Sequence, residues 1–150
     1  KQFQYLFIQY YITQAIKLGE DEGHPMHQVH DWINEQSNLD FMRTLTGESA
    51  IQKADSYASC YSPGHFLTQH EDHHETHDRV AAYVISMTKT WDVNWGGHLA
   101  FYDELGNIEQ AFIPSFNCLN IFLIPQRHAV QSVAPFAGAN RISYLGWLHR

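Results

Sequence analysis

From Ile51 to the C-terminus the sequence breaks into short runs rich in Val, Ile, Phe, Tyr and Trp, separated by Gly, Pro, Asn and Asp. β-Branched and aromatic side chains suit a pleated, half-buried surface, and runs of this length bounded by turn residues read as strands. Eight are expected, at 51–61, 65–72, 79–88, 98–103, 108–113, 118–124, 128–134 and 141–149. The segment Asp103-Glu104-Leu105-Gly106-Asn107 reads as a hairpin connection, because Gly106 and Asn107 tolerate positive φ. So many closely spaced strands bury their apolar faces by packing on one another, and the expected fold is mainly β, a double-sheet jelly roll.

Ahead of this core the texture differs. Residues 1–19 are aromatic and compatible with a strand that continues as a helix, a choice that periodicity does not decide. Met26, Val29, Trp32 and Ile33 recur at helical spacing, and Ser37 or Asn38 is placed to cap a further helix through Leu45, ended by Gly47. Residues 1–48 are therefore expected to be mostly helical and packed outside a jelly-roll core over 49–150. A length of 150 residues and 44% hydrophobic content fit one domain over 1–150.

A formal charge of −7 argues against a sequence-independent nucleic-acid binder, which needs a basic surface to neutralise phosphates. A basic protein or peptide partner is compatible with it. No window approaches the ~18 uninterrupted apolar residues of a membrane span, and the N-terminus lacks the three regions of a signal peptide. The expectation is a soluble, cytoplasmic protein without a membrane or nucleic-acid partner; since the chain opens on Lys1 and not Met, a removed leader stays open. Cys60 and Cys118 lie in apolar or aromatic surroundings and are expected to be buried, reduced thiols. Nothing in the sequence specifies an oligomeric state.

The run HFLTQHEDHHETHD carries histidines at 65, 70, 73, 74 and 77. His73, His74 and His77 lie among Glu71, Asp72, Glu75 and Asp78 and read as solvated loop, whereas His65 in the apolar GHFL segment reads as a packed strand residue. His70 and Asp72 differ, because residues two apart at the end of a strand project from one face and bring an imidazole and a carboxylate together. His128, which opens HAVQSV after the apolar run NIFLIP, is the candidate third ligand. Two histidines and one carboxylate on one face of an octahedral ion leave three positions open, the pattern of non-haem iron(II) oxygenases. Arg141 and Ser143 share a face of the last strand, and a buried arginine beside a hydroxyl can grip a carboxylate in a bidentate, charge-assisted pair.

Five segments, in order, carry a resemblance: CYSPGHFLTQHED, RVAAYVISMTKTW, WGGHLAFYD, PSFNCLNIFLIPQRHAV and RISYLGWLHR. Across residues 60–150 they resemble the prolyl-hydroxylase branch of the 2-oxoglutarate and iron(II)-dependent oxygenases, in particular the ribosomal-protein prolyl hydroxylases and their bacterial relatives. The resemblance implies a double-stranded β-helix and a hydroxylation that uses iron(II), 2-oxoglutarate and O₂ and releases succinate and CO₂, with ascorbate admissible as reductant. It implies His70, Asp72 and His128 as ligands, Arg141 on the distal carboxylate of 2-oxoglutarate, and Tyr61 lining the pocket. One departure stands out: five residues before Trp91 the family usually has a tyrosine on that carboxylate, where this chain has Ser86. Tyr83 does not replace it, since an offset of three turns it to the other face. The implied substrate is a prolyl residue in a protein or peptide, with a small molecule as the competing class; loops 72–78 and 134–140 are expected to form the rim. Two other readings compete: a cupin-type metal enzyme acting on a small molecule without 2-oxoglutarate, and a non-catalytic zinc-binding module held by the histidine-rich loop.

Overall fold

The computed structural model describes residues 3–73 and 78–150, and in it the strands pair antiparallel into two sheets. The smaller sheet runs β1 (Tyr5–Leu6), β5 (Phe66–His70), β10 (His128–Val130), β7 (Leu99–Tyr102) and β8 (Ile108–Phe112). The larger runs β2 (Ile8–Tyr10), β4 (Tyr57–Tyr61), β11 (Arg141–His149), β6 (Arg79–Ser86) and β9 (Leu119–Leu123), with β3 (Lys53–Ala54) paired to the end of β11. Side chains of both sheets line one chamber between them, among them Leu67, Leu99 and Val130 from the smaller and Ser59, Val84 and Leu145 from the larger. The protein is mainly β, two antiparallel sheets face to face in the manner of a jelly roll.

Period-two alternation gives the larger sheet two different faces. On β11, Arg141, Ser143, Leu145 and Trp147 look into the chamber, whereas Tyr144 and Leu148 join Tyr83 and Ala81 of β6 in an apolar cluster on the opposite face. The same cluster contains Ile12 of α1 (Ile12–Leu18), Ile33 of α2 (Pro25–Ile33), and Leu39 and Met42 of α3 (Gln36–Thr46), all nearly fully buried. Gly19 and Gly47 close α1 and α3 in the left-handed conformation, where a side chain would be strained. Pro25 opens α2, with the His24 ring accepting from the Met26 N–H at 3.2 Å. None of the described helices is long and apolar enough to cross a membrane.

The element boundaries depart from the sequence expectation for identifiable reasons. α3 begins at Gln36, ahead of both expected caps, because the Asn38 amide turns back to donate to the Trp32 carbonyl at 2.6 Å and closes the preceding helix. The expected strand 51–61 is split into β3 and β4 at Asp55. Its carboxylate accepts from the Trp147 N–H at 2.6 Å and meets His149 Nε2 at 3.0 Å, so the chain leaves the ladder there. A Cβ on Gly146 would lie 2.0 Å from the Asp55 carbonyl oxygen, so only glycine allows this crossing. The cysteines are free, as expected, but not buried: Cys60 is half-buried on β4, and Cys118 is exposed ahead of β9. His65 is not in a strand either; it sits in the turn before β5, where its backbone bonds Ser62 and Val133.

Candidate metal and co-substrate site

β5 and β10 are hydrogen-bonded neighbours in which His70 and His128 are Cα partners, so two histidines 58 positions apart are set side by side, with ring centroids 4.2 Å apart. Asp72 lies two residues beyond the end of β5 and folds its carboxylate between them. Its Oδ1 is 3.5 Å from His70 Nε2 and its Oδ2 is 3.4 Å from His128 Nε2. One ligand atom from each of the three residues lies within 4.8 Å of the others. Two donors each ~2.1 Å from one ion stand roughly 3.0–3.4 Å apart as their angle opens from 90° to tetrahedral, so the spacing fits a shared divalent ion.

Hydrogen bonds behind the rings fix which nitrogen is offered. His70 Nδ1 meets the Thr68 carbonyl at 2.9 Å and His128 Nδ1 meets the Gln126 carbonyl at 2.8 Å. A carbonyl only accepts, so each Nδ1 carries the proton and each Nε2 turns a lone pair toward Asp72. Burial holds His128 below its ordinary value, which keeps the ring neutral and able to coordinate. Burial pushes the Asp72 carboxyl up, but the polar groups around it, His70, His128 and Trp147, outweigh burial, and the net direction is down. The constellation is one carboxylate and two imidazoles whose Nε2 atoms face it. Phe122 packs on His128 and Phe3 on His70, which shields the rings from water.

Deeper in the chamber, Arg141 is only 3% exposed. Its Nε donates to the Gly97 carbonyl at 2.8 Å and its Nη1 to Ser143 Oγ at 3.0 Å, while the guanidinium lies 5.4 Å from the centre of the Tyr61 ring. No carboxylate among the described residues forms an ion pair with it. Burial pushes Arg141 down and Tyr61 up, as a chamber poor in solvent requires. The WGG motif finds its physical reason here. Gly97 has φ of +63°, and a Cβ there would press on Arg141 Cδ at 3.3 Å and Trp91 at 3.1 Å; one on Gly96 would lie 2.3 Å from the Ser132 carbonyl oxygen. The two glycines let the chain pass close enough to hand a carbonyl to the arginine.

A model of the 2OG-Fe(II) oxygenase superfamily matches residues 56–149, which is most of the chain. The chain belongs to that superfamily. As an oxygenase of this family it is expected to work with Fe(II) and 2-oxoglutarate. Its fold is similar to that of a Pseudomonas putida prolyl-4-hydroxylase, with a TM-score of 0.69 at 22% identity over 99% of this chain and 71% of that one. A 2OG-Fe(II) oxygenase family oxidoreductase from Burkholderia pseudomallei gives 0.70 at 14% identity, over 98% of this chain and 67% of that one. A Trichoplax adhaerens prolyl hydroxylase, solved with a hypoxia inducible factor peptide, gives 0.68 at 19% identity over 94% of this chain and 61% of that one. At these identities the likenesses are of fold. No curated protein matches the chain.

The residues of this oxygenase fit the groups its family uses. The triad offers the right donors, and the buried guanidinium has no carboxylate partner among the described residues. Ser86, where the family tyrosine is missing, pairs with Ser143 across β6 and β11, and its Oγ is buried without a hydrogen-bond partner among the described residues. Ser59, Ser143 and Ser86 thus form a row of hydroxyl residues across three strands of the chamber wall. Tyr83 turns to the helical face, where its hydroxyl meets Ser56 and the Asp55 carbonyl. Of the histidine-rich loop, His73 is exposed, and His74 and His77 lie outside the described residues. Connection 134–140 does not line the mouth; Ala137 packs against the Tyr61–Val133 cluster and Gly138 against Trp95. Asp72 and His73 of the expected loop 72–78 do line the mouth, and the rest of its wall comes from outside that loop, from Phe3, Tyr5, Phe7 and Tyr11 with Tyr57, Arg79 and Trp147. Sequence reasoning missed these residues. The density of aromatics over residues 3–11 was their one signal.

Proposed function

We propose that this oxygenase hydroxylates a prolyl residue of a protein or peptide, with His70, Asp72 and His128 as iron ligands and Arg141 as the anchor of 2-oxoglutarate. The observation that carries the reading is the buried Arg141, without a carboxylate partner among the described residues, in the same chamber whose rim bears the triad. An isolated buried charge is costly, and an anionic co-substrate supplies the missing partner. When bound, iron would let O₂, the oxidant, oxidise 2-oxoglutarate to succinate and CO₂ with one oxygen atom and hydroxylate the substrate with the other. The protein's part is placement. Ser143 holds the guanidinium in line, Tyr61 and the serine row surround the carboxylate, and the carbonyls of Thr68 and Gln126 keep both imidazoles in the ligating tautomer. Phe122 and Phe101 form the dry wall beside His128 that limits side reactions with water. A carboxylate at position 72 fills the third protein ligand site and speaks against halogenation.

The prolyl assignment is supported by the motifs WGG, PSFN and GWLH, by the fold of the prolyl hydroxylase structures, and by an aromatic-walled mouth suited to an apolar ring. Anaerobic addition of 2-oxoglutarate to the iron-loaded protein should raise a weak visible charge-transfer band. A cupin-type enzyme or zinc module would show none. The iron enzyme is then incubated with 2-oxoglutarate and a cell extract, and oxidised proline is sought by mass spectrometry. Unmodified polypeptides alongside succinate production driven by a small metabolite would overturn the prolyl assignment and leave the oxygenase standing.

A further inference from the structure

The mouth above the triad does not end at its aromatic wall. Tyr11, Tyr57, Arg79 and Trp147 also line a second, wider groove that continues along the edge of β3 and the C-terminal end of β11. The charge of this groove is opposite to that of the chain. Lys17, Lys53, Arg79 and Arg150 line it, four of the nine lysines and arginines, against Asp55 and Asp78 out of sixteen carboxylates. Asp55 is already engaged by the Trp147 N–H and His149, and Glu48, at 3.8 Å, is the ion-pair partner of Arg150. Lys17, Lys53 and Arg150 are exposed, and none of Lys17, Lys53 and Arg79 has an ion-pair partner among the described residues.

Trp147 joins the two grooves. The Arg79 guanidinium lies 3.5 Å above its ring, and Tyr57 packs against it at 5.2 Å between ring centres. Arg79 Nε is buried without a hydrogen-bond partner among the described residues. A cation fixed by stacking, with an unfilled donor, stands one indole ring from the candidate metal. A polypeptide with its target residue over the triad would run past Trp147 into a row of cations.

We infer that the groove lined by Lys17, Lys53, Arg79 and Arg150 receives an acidic stretch of the polypeptide substrate that flanks the hydroxylated residue. This rests on the reading of the site as a polypeptide hydroxylase and names the class of polypeptide. Carboxylate side chains match both the exposed ammonium groups and the unfilled Arg79 donor. A long polyanion such as nucleic acid fits less well, because it would extend beyond the groove over a surface that is net acidic.

The test uses the protein loaded with Mn(II) and 2-oxoglutarate, and short fluorescein-labelled peptides with a central proline flanked by glutamates, glutamines or lysines. Fluorescence anisotropy should show the glutamate peptide binding ~10-fold more tightly than the glutamine peptide, the sum of several exposed ion pairs, with the lysine peptide weakest. Added NaCl should erode the advantage. The double variant Lys17→Glu with Lys53→Glu should lose it while keeping the thermal shift given by 2-oxoglutarate; Lys17→Gln with Lys53→Gln takes its place if the reversal unfolds the chain. Equal binding of the glutamate and glutamine peptides, an advantage that survives in the variants, or tighter binding of an oligothymidylate of equal charge would overturn the inference. Hydroxylation is scored separately by mass spectrometry. Proline peptides modified regardless of charge would refute the acidic groove and leave the hydroxylase, whereas charge-selective binding without modification would keep the groove and refute the prolyl assignment.

Discussion

Arg141→Met isolates the role of the buried guanidinium, because methionine fills similar space without charge or donors. In the substrate-free protein two effects oppose each other. Losing charge-assisted bonds to Gly97 and Ser143 costs ~1.5–3 kcal/mol each, whereas relieving an unpaired buried charge returns several kcal/mol. The midpoint of thermal unfolding should therefore move by a few degrees at most. Co-substrate binding has no such compensation. Breaking a buried pair costs ~3–5 kcal/mol, a loss of affinity of roughly two to nearly four decades. With Mn(II) present and 2-oxoglutarate at about 100 times its dissociation constant, the native protein gains ~2.7 kcal/mol, a rise of ~5–11 °C for a chain of this size. A variant weakened at least ~100-fold should gain only ~0.4 kcal/mol at that concentration, about 1 °C. Differential scanning fluorimetry reads both quantities from the same samples. A full shift in Arg141→Met would refute the anchor, and collapse of the substrate-free variant would mark Arg141 as a structural residue.

Three further outcomes test the rest of the site. Asp72→Ala should abolish both iron-dependent turnover of 2-oxoglutarate and the Mn(II)-induced rise in melting temperature, with circular dichroism unchanged; retained turnover would remove Asp72 from the ligand set. Ser86→Ala removes a buried hydroxyl without a partner among the described residues and should stabilise the substrate-free protein to urea by ~1–3 kcal/mol while weakening 2-oxoglutarate binding several-fold, so a destabilised variant would mean that Ser86 has an internal partner. Burial holds His30 and His128 below their ordinary 6.5, so the fold keeps both neutral while the unfolded chain takes up protons. The stability they supply is complete above that value and is lost as pH falls from about 6.5 through the folded values. In the metal-free protein the urea midpoint should drop between neutral and mildly acidic pH, and His30→Asn should flatten part of that drop.

What could be read from the sequence was what a single strand encodes. His70 before Asp72 at a strand end, and Arg141 before Ser143 inside β11, are spacings of two, and a strand turns such a spacing into shared direction without further information. β11 spans Arg141–His149 as its pattern implied. Boundaries failed where distant groups intervene. Nothing within residues 51–61 announces that the Asp55 carboxylate will bind the Trp147 backbone and break the strand, since the partner lies 92 positions away. Asn38 was hidden otherwise: its partner is only six positions away, but a capping residue can serve either neighbouring helix, and its amide serves the end of α2 and not the start of α3. Cys118 was misplaced because apolar neighbours along the chain say little about the depth of a turn.

The mouth of the site was illegible for a different reason, and the electrostatics show it best. A net charge of −7 describes the far field and suits a basic partner, but ionic screening removes that field beyond ~8–10 Å. At contact distance only the local arrangement acts. Lys17, Lys53, Arg79 and Arg150 come from α1, β3, the start of β6 and the residue after β11, and the nearest two in sequence, Lys53 and Arg79, are 26 positions apart. They become neighbours only because β3 pairs with the end of β11, β11 with β6, and α1 packs behind β4. Strands so conjoined build the chamber from adjacent rungs and the groove from separate elements. The chemistry of the oxidation is therefore written in short motifs, while the choice of polypeptide is written in topology.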